Sequence, residues 1–398
     1  MAKPAVLYVS YDGMLEPLGQ SQVIAYLEKL TDLATCHILS FEKPADWADA
    51  ARREALAQRL RAAGIHWHKL TYHKSPTVPA SLFDIAQGTA TALWLALRHR
   101  VRIVHARSYI PALIGLIVKR LTGAKLLFDM RGLWADERTD GGIWPVDGGI
   151  YRTVKRLEQH LLLGADRIVT LTHASKGVIE AFPYLAEHKH APISVIPTCA
   201  DLDRFIPGDG AKPAPFTLGY LGSIGTWYMF DEVLACFALL RERRPDAKLL
   251  VVNRNEQELV RRMAAEAGIP SDAVEITSAD HREVPAQIRR MNAGAAIIRP
   301  VYSKIASAPT KLAEYLGCGV PCLGNVGVGD VEAILEGEGA GVALREFTDA
   351  ERRRAVERLL ELDADKATAA RCRAVALRHF SLEGGAEAYR AIYRELVA

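Results

Sequence analysis

The sequence predicts an α/β protein of two Rossmann-like parallel-sheet domains facing a central crevice, and three observations predict it. Short apolar, β-branched runs alternate with segments of helical period along the whole chain, the pattern of βαβ units whose strands are buried on both faces. The runs form two series, separated by Phe205 to Pro215, where three prolines and two glycines give the composition of a linker. A chain of 398 residues, 49% hydrophobic and 24% charged, is long enough to bury two cores and has nothing of a disordered composition.

The first series of expected strands comprises Val6 to Val9, His37 to Ser40, His66 to Leu70, Ile103 to Ala106, Leu126 to Asp129, Ile168 to Leu171 and Ser194 to Ile196. The second comprises Thr217 to Leu221, Lys248 to Val252, Val274 to Thr277, Ala295 to Ile298, Cys322 to Gly324 and Val342 to Leu344. Helices fill the gaps, among them surface helices over Arg352 to Leu362 and Ala364 to Arg378 and an amphipathic one over Glu383 to Leu396. The domain limits that follow are 1–205, 206–378, and a closing helical segment 379–398 expected to pack back on the first domain.

A formal net charge of +3 does not argue for nucleic acid. The six cysteines are scattered, and the Cys318/Cys322 spacing lacks the second ligand pair of a zinc site, so no metal and a reducing cytoplasm are expected. Val6 to Val9 is too short for a signal peptide, and no apolar stretch reaches the length of a spanning helix. Residues 85–128 hold seven Lys/Arg (Arg98, Arg100, Arg102, Arg107, Lys119, Arg120, Lys125) and no acid, interleaved with Trp94, Leu95, Leu97 and the run Ile110 to Val118. That composition suits either an anionic membrane surface or a core helix with solvated ends.

Parallel sheets place their chemistry on the loops at the carboxyl ends of the strands. After the first strand comes Ser10 to Ser21, with Gly13 and Gly19, followed by a helix from about Gln22; glycines let backbone approach a ligand, but the G-x-G-x-x-G fingerprint is absent. Arg107 follows the fourth strand, and Asp129, Arg131 and Glu137 follow the fifth. They suit a phosphorylated or hydroxyl-rich substrate, or an internal ion-pair network. His105 reads as a satisfied core histidine. Asp140 to Gly149 has the glycines and aromatic tip of either a mobile lid or an ordinary surface loop.

The most informative segment is Ser307-Ala308-Pro309-Thr310-Lys311-Leu312-Ala313-Glu314-Tyr315-Leu316-Gly317-Cys318-Gly319-Val320-Pro321. Pro309 suits the first helical turn, Gly319 the C-terminal cap, and Pro321 stops continuation. The helix start offers amides to a diphosphate, Lys311 adds a point charge, and Glu314 can accept both hydroxyls of a ribose. Read as structure alone, Lys311 and Glu314 would be a surface pair.

That segment resembles the donor-site helix of the family 4 retaining glycosyltransferases, which have the GT-B fold. Ile196 to Phe205 resembles that family's interdomain segment, Gly219 to Gly222 its first C-terminal strand and turn, and Asp12 to Gly19 its first loop. The resemblance implies a nucleotide diphosphate sugar, UDP ahead of GDP, with its ribose on Glu314, its phosphates near Ser223, Ser307, Thr310 and Lys311, and its base along the backbone at Glu283 and Val284. Gly13, Gly19 and Gln20 would approach the donor from the first domain, and Arg254 is a further diphosphate candidate. The sequence departs from the family at Ala306, where a glutamate is usual, at Ser223 and Tyr228, where Arg and Lys are usual, and at Arg107, where His is usual. Lys304, Lys311, Arg254 or Arg299 must then supply the positive charge.

The resemblance further implies retaining transfer to a hydroxyl acceptor without a covalent enzyme intermediate or a metal, in polysaccharide or glycolipid assembly. Lys311 and the helix start would stabilise the departing phosphate, while Arg107, Asp129, Arg131 and Glu137 orient the acceptor. Two alternatives stay open at this point: a sugar-nucleotide epimerase of the same fold, and a non-catalytic binding protein with a lapsed donor site.

Overall fold

The computed structural model describes residues 3–187, 190–208, 210, 214–280 and 282–398. They divide into two compact units, one formed by Met1–Pro197 with Leu382–Ala398, the other by Thr198–Ser381. The first break therefore falls at Pro197, eight residues before the expected limit, and the second at Ser381. The Pro/Gly-rich stretch belongs to the second unit, although its residues 209 and 211–213 lie outside the described residues.

The first unit carries seven parallel strands, β1 (Ala5–Ser10), β2 (Thr35–Glu42), β3 (His66–Thr71), β4 (Ile103–Arg107), β5 (Lys125–Asp129), β6 (Arg167–Thr170) and β7 (Ile193–Val195), in the order β3-β2-β1-β4-β5-β6-β7. The second carries six, β8 (Thr217–Leu221), β9 (Lys248–Val252), β10 (Val274–Thr277), β11 (Ala293–Ala295), β12 (Cys322–Asn325) and β13 (Gly341–Leu344), in the order β10-β9-β8-β11-β12-β13. All pairings between these strands are parallel, and each expected strand has a counterpart, although β11 shares only Ala295 with the expected span Ala295 to Ile298. The strand order reverses between β1 and β4 and again between β8 and β11. At those points the loops diverge to opposite faces and leave room for a ligand.

Two elements begin elsewhere than the periodicity predicts. β11 ends at Ala295 although the apolar run continues to Ile298. The side chain of Asn325 donates to the Ile298 carbonyl (2.8 Å) and accepts from its amide (2.8 Å), taking the chain out of the ladder. The first helical stretch begins at Pro17, not Gln22, and passes through a π turn at Gln20–Ile24. Pro17 is tolerated because the first turn needs no amide, and Gly19 permits the start: a Cβ there would lie 2.3 Å from the Gly13 carbonyl oxygen.

The Leu382–Val397 helix packs on the first unit. Its buried face includes Leu382, Ala386, Tyr389, Ile392 and Tyr393, while Arg390 reaches Asp32 (2.6 Å) and the Lys29 carbonyl (2.6 Å). No helix among the described residues is long and apolar enough to cross a membrane. All six cysteines are buried, and none of them is in a disulfide among the described residues.

At the outer edge of the first sheet four histidines gather. His37 on β2 pairs in register with His66 on β3, their rings stacked 4.7 Å apart, with His99 4.2 Å away on the other contact. His37 Nδ1 lies 3.1 Å from His68 Nε2, close enough to share one proton. Burial, with His99, His66 and His68 around it, pushes the His37 imidazole down to about 4. The unfolded chain binds this proton at an ordinary histidine value, so stability is complete above pH ~6.5 and is lost as the pH falls toward 4. Thermal melts at pH 7.5 and 4.5 should show His37→Leu losing clearly less than the wild type; equal losses would contradict this account.

Candidate functional site

In the second unit the site is built on the β8–β11 switch. The Thr310–Gly317 helix has Pro309 as its N-cap, one position before the first turn, and a left-handed stop at Gly319 (φ 76°). Val320 N–H donates to Tyr315 O (3.0 Å) and Gly319 N–H to Leu316 O (3.0 Å), a Schellman closure. Its seat on the sheet depends on a missing side chain: a Cβ on Gly294 would lie 2.5 Å from the Tyr315 ring. The helix thus lies directly on β11.

Lys311 does not form a surface pair. It is buried, and its ammonium sits 3.7 Å from the Tyr228 ring centre and 4.3 Å from that of Tyr220, with no hydrogen-bond partner among the described residues. The turn after β8 lies close by: an added Cβ on Gly222 (φ +86°) would lie 4.0 Å from Nζ. Ring faces attract a cation but leave its protons unsatisfied. Burial lowers the Lys311 amine to about 7 and raises the half-buried Glu314 carboxyl to about 7, with the two acting on each other. A similar arrangement lies alongside, where Lys304, also buried, has its ammonium 3.8 Å from the Trp227 ring centre. Two cations thus reach the loop at Ser223 to Tyr228, which carries none itself, and Ala306 is buried beneath.

Reading the sequence alone misses what holds that loop. Glu256 accepts from Ile224 N–H (3.0 Å) and from Asn253 Nδ2 (3.0 Å), and Asn253 Nδ2 also donates to Gly222 O (3.0 Å). Burial would raise the Glu256 carboxyl, but these donors hold it below the ordinary carboxylate range. Ser223 accepts from Gly225 N–H through Oγ (3.3 Å) and from the Tyr220 hydroxyl through its carbonyl (2.6 Å). The available signal was position, since Asn253 and Glu256 directly follow β9. Glu256→Ala frees the loop, and, on the nucleotide-sugar site that the sequence resemblance implies here, we expect the KM for donor to rise about tenfold with kcat little changed. A kcat loss at unchanged KM would show the carboxylate doing something else.

Arg254 is turned aside: it pairs with Asp280 (2.7 Å) and the Ala279 carbonyl (3.1 Å) at the surface. The Glu283 carboxylate accepts from Asp280 N–H (2.9 Å), and the amides of Glu283 and Val284 donate to Asp280 O, which ties these three residues together after β10. Ser307 closes the short Tyr302–Ala306 helix by donating N–H to Lys304 O (3.0 Å), and Thr310 begins the next helix, both half-buried.

In the first unit the glycine-rich loop is already filled. Gly13 N–H donates to Glu16 (3.1 Å), and Met14 and Leu15 donate to the buried carboxylate of Glu42 (2.8 and 3.4 Å), which also accepts from Ser40 Oγ (2.6 Å). The protein's own acid occupies the amides that a ligand was expected to use. Gln20 is half-buried at the start of the π turn, and Gly19 packs on Gly13.

Arg107 ends β4, buried, with Nε 3.4 Å from Asp12 and Nη1 without a hydrogen-bond partner among the described residues. Asp129 ends β5 and is turned inward, with Oδ2 accepting from the Tyr389 hydroxyl (3.1 Å) and lying 3.7 Å from His105 Nε2 and 3.8 Å from Arg131 Nη1. The expectation that Asp129 meets an acceptor directly does not fit this burial; it holds Arg131 in place. Burial would raise the Asp129 carboxyl, but Arg131 and His105 bring it below the ordinary range. His105 is a core histidine, bonded through Nδ1 to the Tyr393 hydroxyl (2.8 Å). Arg131 sits at φ 60°, a conformation that costs a non-glycine residue energy, and its Nη2 lies 3.5 Å from Gln22.

Glu137 is half-buried in the first turn of the Trp134–Asp140 helix. That helix is tied to the next one, Gly149–Gly164, through Asp136, which accepts from Tyr151 (2.9 Å) and Lys155 (3.0 Å). The loop between them keeps Trp144 against Trp134 (5.3 Å) while Ile143 and Val146 stay exposed.

Both units are therefore doubly wound α/β domains with cations concentrated at the carboxyl ends of their strands. Family models agree: Glycosyltransferase Family 4 matches residues 35–204 and Glycosyl transferases group 1 matches residues 203–376. The chain belongs to these glycosyltransferases, with the GT-B fold. It is similar to a sucrose-phosphate synthase from Thermosynechococcus elongatus (TM-score 0.73, 13% identity, 99% of each chain). It also resembles a glycosyltransferase from Rickettsia africae (0.72, 15%, 100% of this chain and 99% of that one). A third similar structure is Anabaena HepE in complex with UDP (0.70, 16%, 98% and 100%). No curated protein matches it by sequence.

Proposed function

We propose that the protein is a retaining glycosyltransferase that takes a sugar from a nucleotide diphosphate sugar, UDP-linked, and delivers it to a hydroxyl of a glycan or lipid-linked acceptor in polysaccharide or glycolipid assembly at the cytoplasmic side of a membrane. The observation that carries this reading is Lys311: a buried ammonium resting on two tyrosine rings with no hydrogen-bond acceptor among the described residues. A diphosphate is the kind of ligand that would complete it. The family's usual Arg and Lys on the loop after β8 are missing, and Lys311, assisted by Lys304, brings charge to the same loop from the other side. The complex of HepE with UDP supports a uridine nucleotide as the donor's carrier.

In this mechanism the second unit holds the donor, with Glu314 accepting the ribose hydroxyls and the amides at Thr310 and Lys311 meeting the phosphates. As the bond to the anomeric carbon breaks, negative charge builds on the departing diphosphate. Lys311 and the helix start stabilise that charge without reorganising, which is where electrostatic catalysis is largest. The acceptor hydroxyl is presented by the first unit through Arg107, Arg131 and Glu137, while Asp129 positions Arg131. No metal is required in this scheme, since lysines supply the charge.

Thermal melts with a panel of sugar nucleotides test the reading, because a ligand at a hundred times its Kd raises stability by about 2.7 kcal/mol. A UDP-sugar should shift the melt, Glu314→Ala should abolish the shift, and turnover should survive a chelator. A panel without any shift would contradict the donor site, and chelator-sensitive turnover would contradict the metal-free scheme.

A further inference from the structure

We propose that the outward face of the Thr77–His99 helix is a docking surface for an anionic lipid bilayer. The helix has 23 residues, about 34 Å at the usual rise. Its inner side is seated on the first unit: Gly88 allows the approach, since a Cβ there would lie 2.8 Å from Phe41 and 2.9 Å from Ile114. Leu82, Phe83, Ala86, Ala90, Trp94 and Leu97 share one arc on the opposite side. Leu82 is 61% exposed, Phe83 55%, Trp94 59% and Leu97 64%. Soluble domains rarely leave such a continuous apolar stripe uncovered. The helix cannot span a bilayer, so the stripe would lie in the plane of the interface, with Trp94 at headgroup depth.

Charge selects the occupant. Between His73 and Phe128 the only acid is Asp84, and it points inward, bound to His73 and to the Tyr11 hydroxyl (2.9 Å). Lys74 precedes the helix, Arg98, Arg100 and Arg102 lie at its end, and Arg120 closes the neighbouring helix beside exposed Leu121. Among the described residues none of these five cations is paired with a carboxylate. A second copy of the chain would bring arginines against arginines or against Lys74, whichever way the two helices ran. Phosphodiester headgroups would neutralise them while the acyl boundary covers the stripe.

The test is co-sedimentation of the full chain with phosphatidylcholine vesicles, with and without phosphatidylglycerol as a third of the lipid, in low and high salt. No donor or acceptor is present, so the outcome is independent of the transfer reaction. We expect at least tenfold stronger partitioning onto the anionic vesicles, weakened by salt. Leu82→Glu and Trp94→Glu should each lower it at least tenfold, and the triple variant Arg98→Glu, Arg100→Glu, Arg102→Glu should remove its dependence on phosphatidylglycerol. Leu377→Glu, at an exposed leucine of the other unit, is the control and should bind as the wild type does. Absence of wild-type binding, or binding unchanged in the glutamate variants, would overturn the proposal. So would sedimentation velocity showing a dimer that Trp94→Glu dissociates while no vesicles are bound.

Discussion

Lys311→Met should reduce kcat/KM for glycosyl transfer by a factor of about 10² to 10³, the usual cost of removing one group that stabilises developing charge. It should also leave the fold as stable as before or raise its melting temperature, because the variant removes a desolvated amine with no hydrogen-bond partner among the described residues. The two effects in opposite directions separate a functional lysine from a structural one. A pH series adds a sharper readout. In the free protein the amine is lowered to about 7, and a bound diphosphate would favour its charged form, so binding takes up a proton above that pH. UDP affinity should therefore weaken roughly tenfold per pH unit on the alkaline side. On the acid side the raised Glu314 carboxyl loses its charge, and affinity should fall there too. Calorimetry should find the alkaline limb missing in Lys311→Met and the acid limb missing in Glu314→Gln. An unchanged pH profile in both variants would sink the assignment.

Gly294→Ala is the second large effect. The added methyl would stand 2.5 to 2.6 Å from three atoms of the Tyr315 ring, which is fully buried and has the Gly294 backbone beneath it. Overpacking of this kind costs about 1–3 kcal/mol. Because Tyr315 lies one residue beyond Glu314 and four beyond Lys311, relief of the clash must move the helix that carries both. Donor affinity should fall together with the melting temperature, and a compensating Tyr315→Leu should restore part of each. Lost stability at full donor affinity would show that the helix position is not set by β11.

The strands were legible because parallel strands buried on both faces are written as continuous apolar runs, and Val6 to Val9 or Lys248 to Val252 admit few other readings. The Thr310–Gly317 helix was legible for a similar reason, with Pro309 and Gly319 marking its ends locally. Local rules failed where a distant side chain intervened. Nothing near Ile298 announces that Asn325 will take its backbone partners, and nothing near Gly13 announces that Glu42 will fill the loop. The π turn at Gln20–Ile24 likewise gives no periodic signal distinguishable from an ordinary helix.

The amino-acid order by itself determined the two sheets, the short Thr310–Gly317 helix and the family resemblance, since each is encoded in periodicity, glycines and prolines close together in the chain. Only the tertiary structure decided what the charged residues do. Lys311 and Glu314, three positions apart, read either as diphosphate and ribose contacts or as a surface pair until packing on β11 places Lys311 against Tyr220 and Tyr228. Asp129 reads either as a substrate contact or as part of an internal ion-pair network until Tyr389, far along the chain, is seen bonded to it. A charge acts through the groups and dielectric around it, and residues remote in sequence supply those.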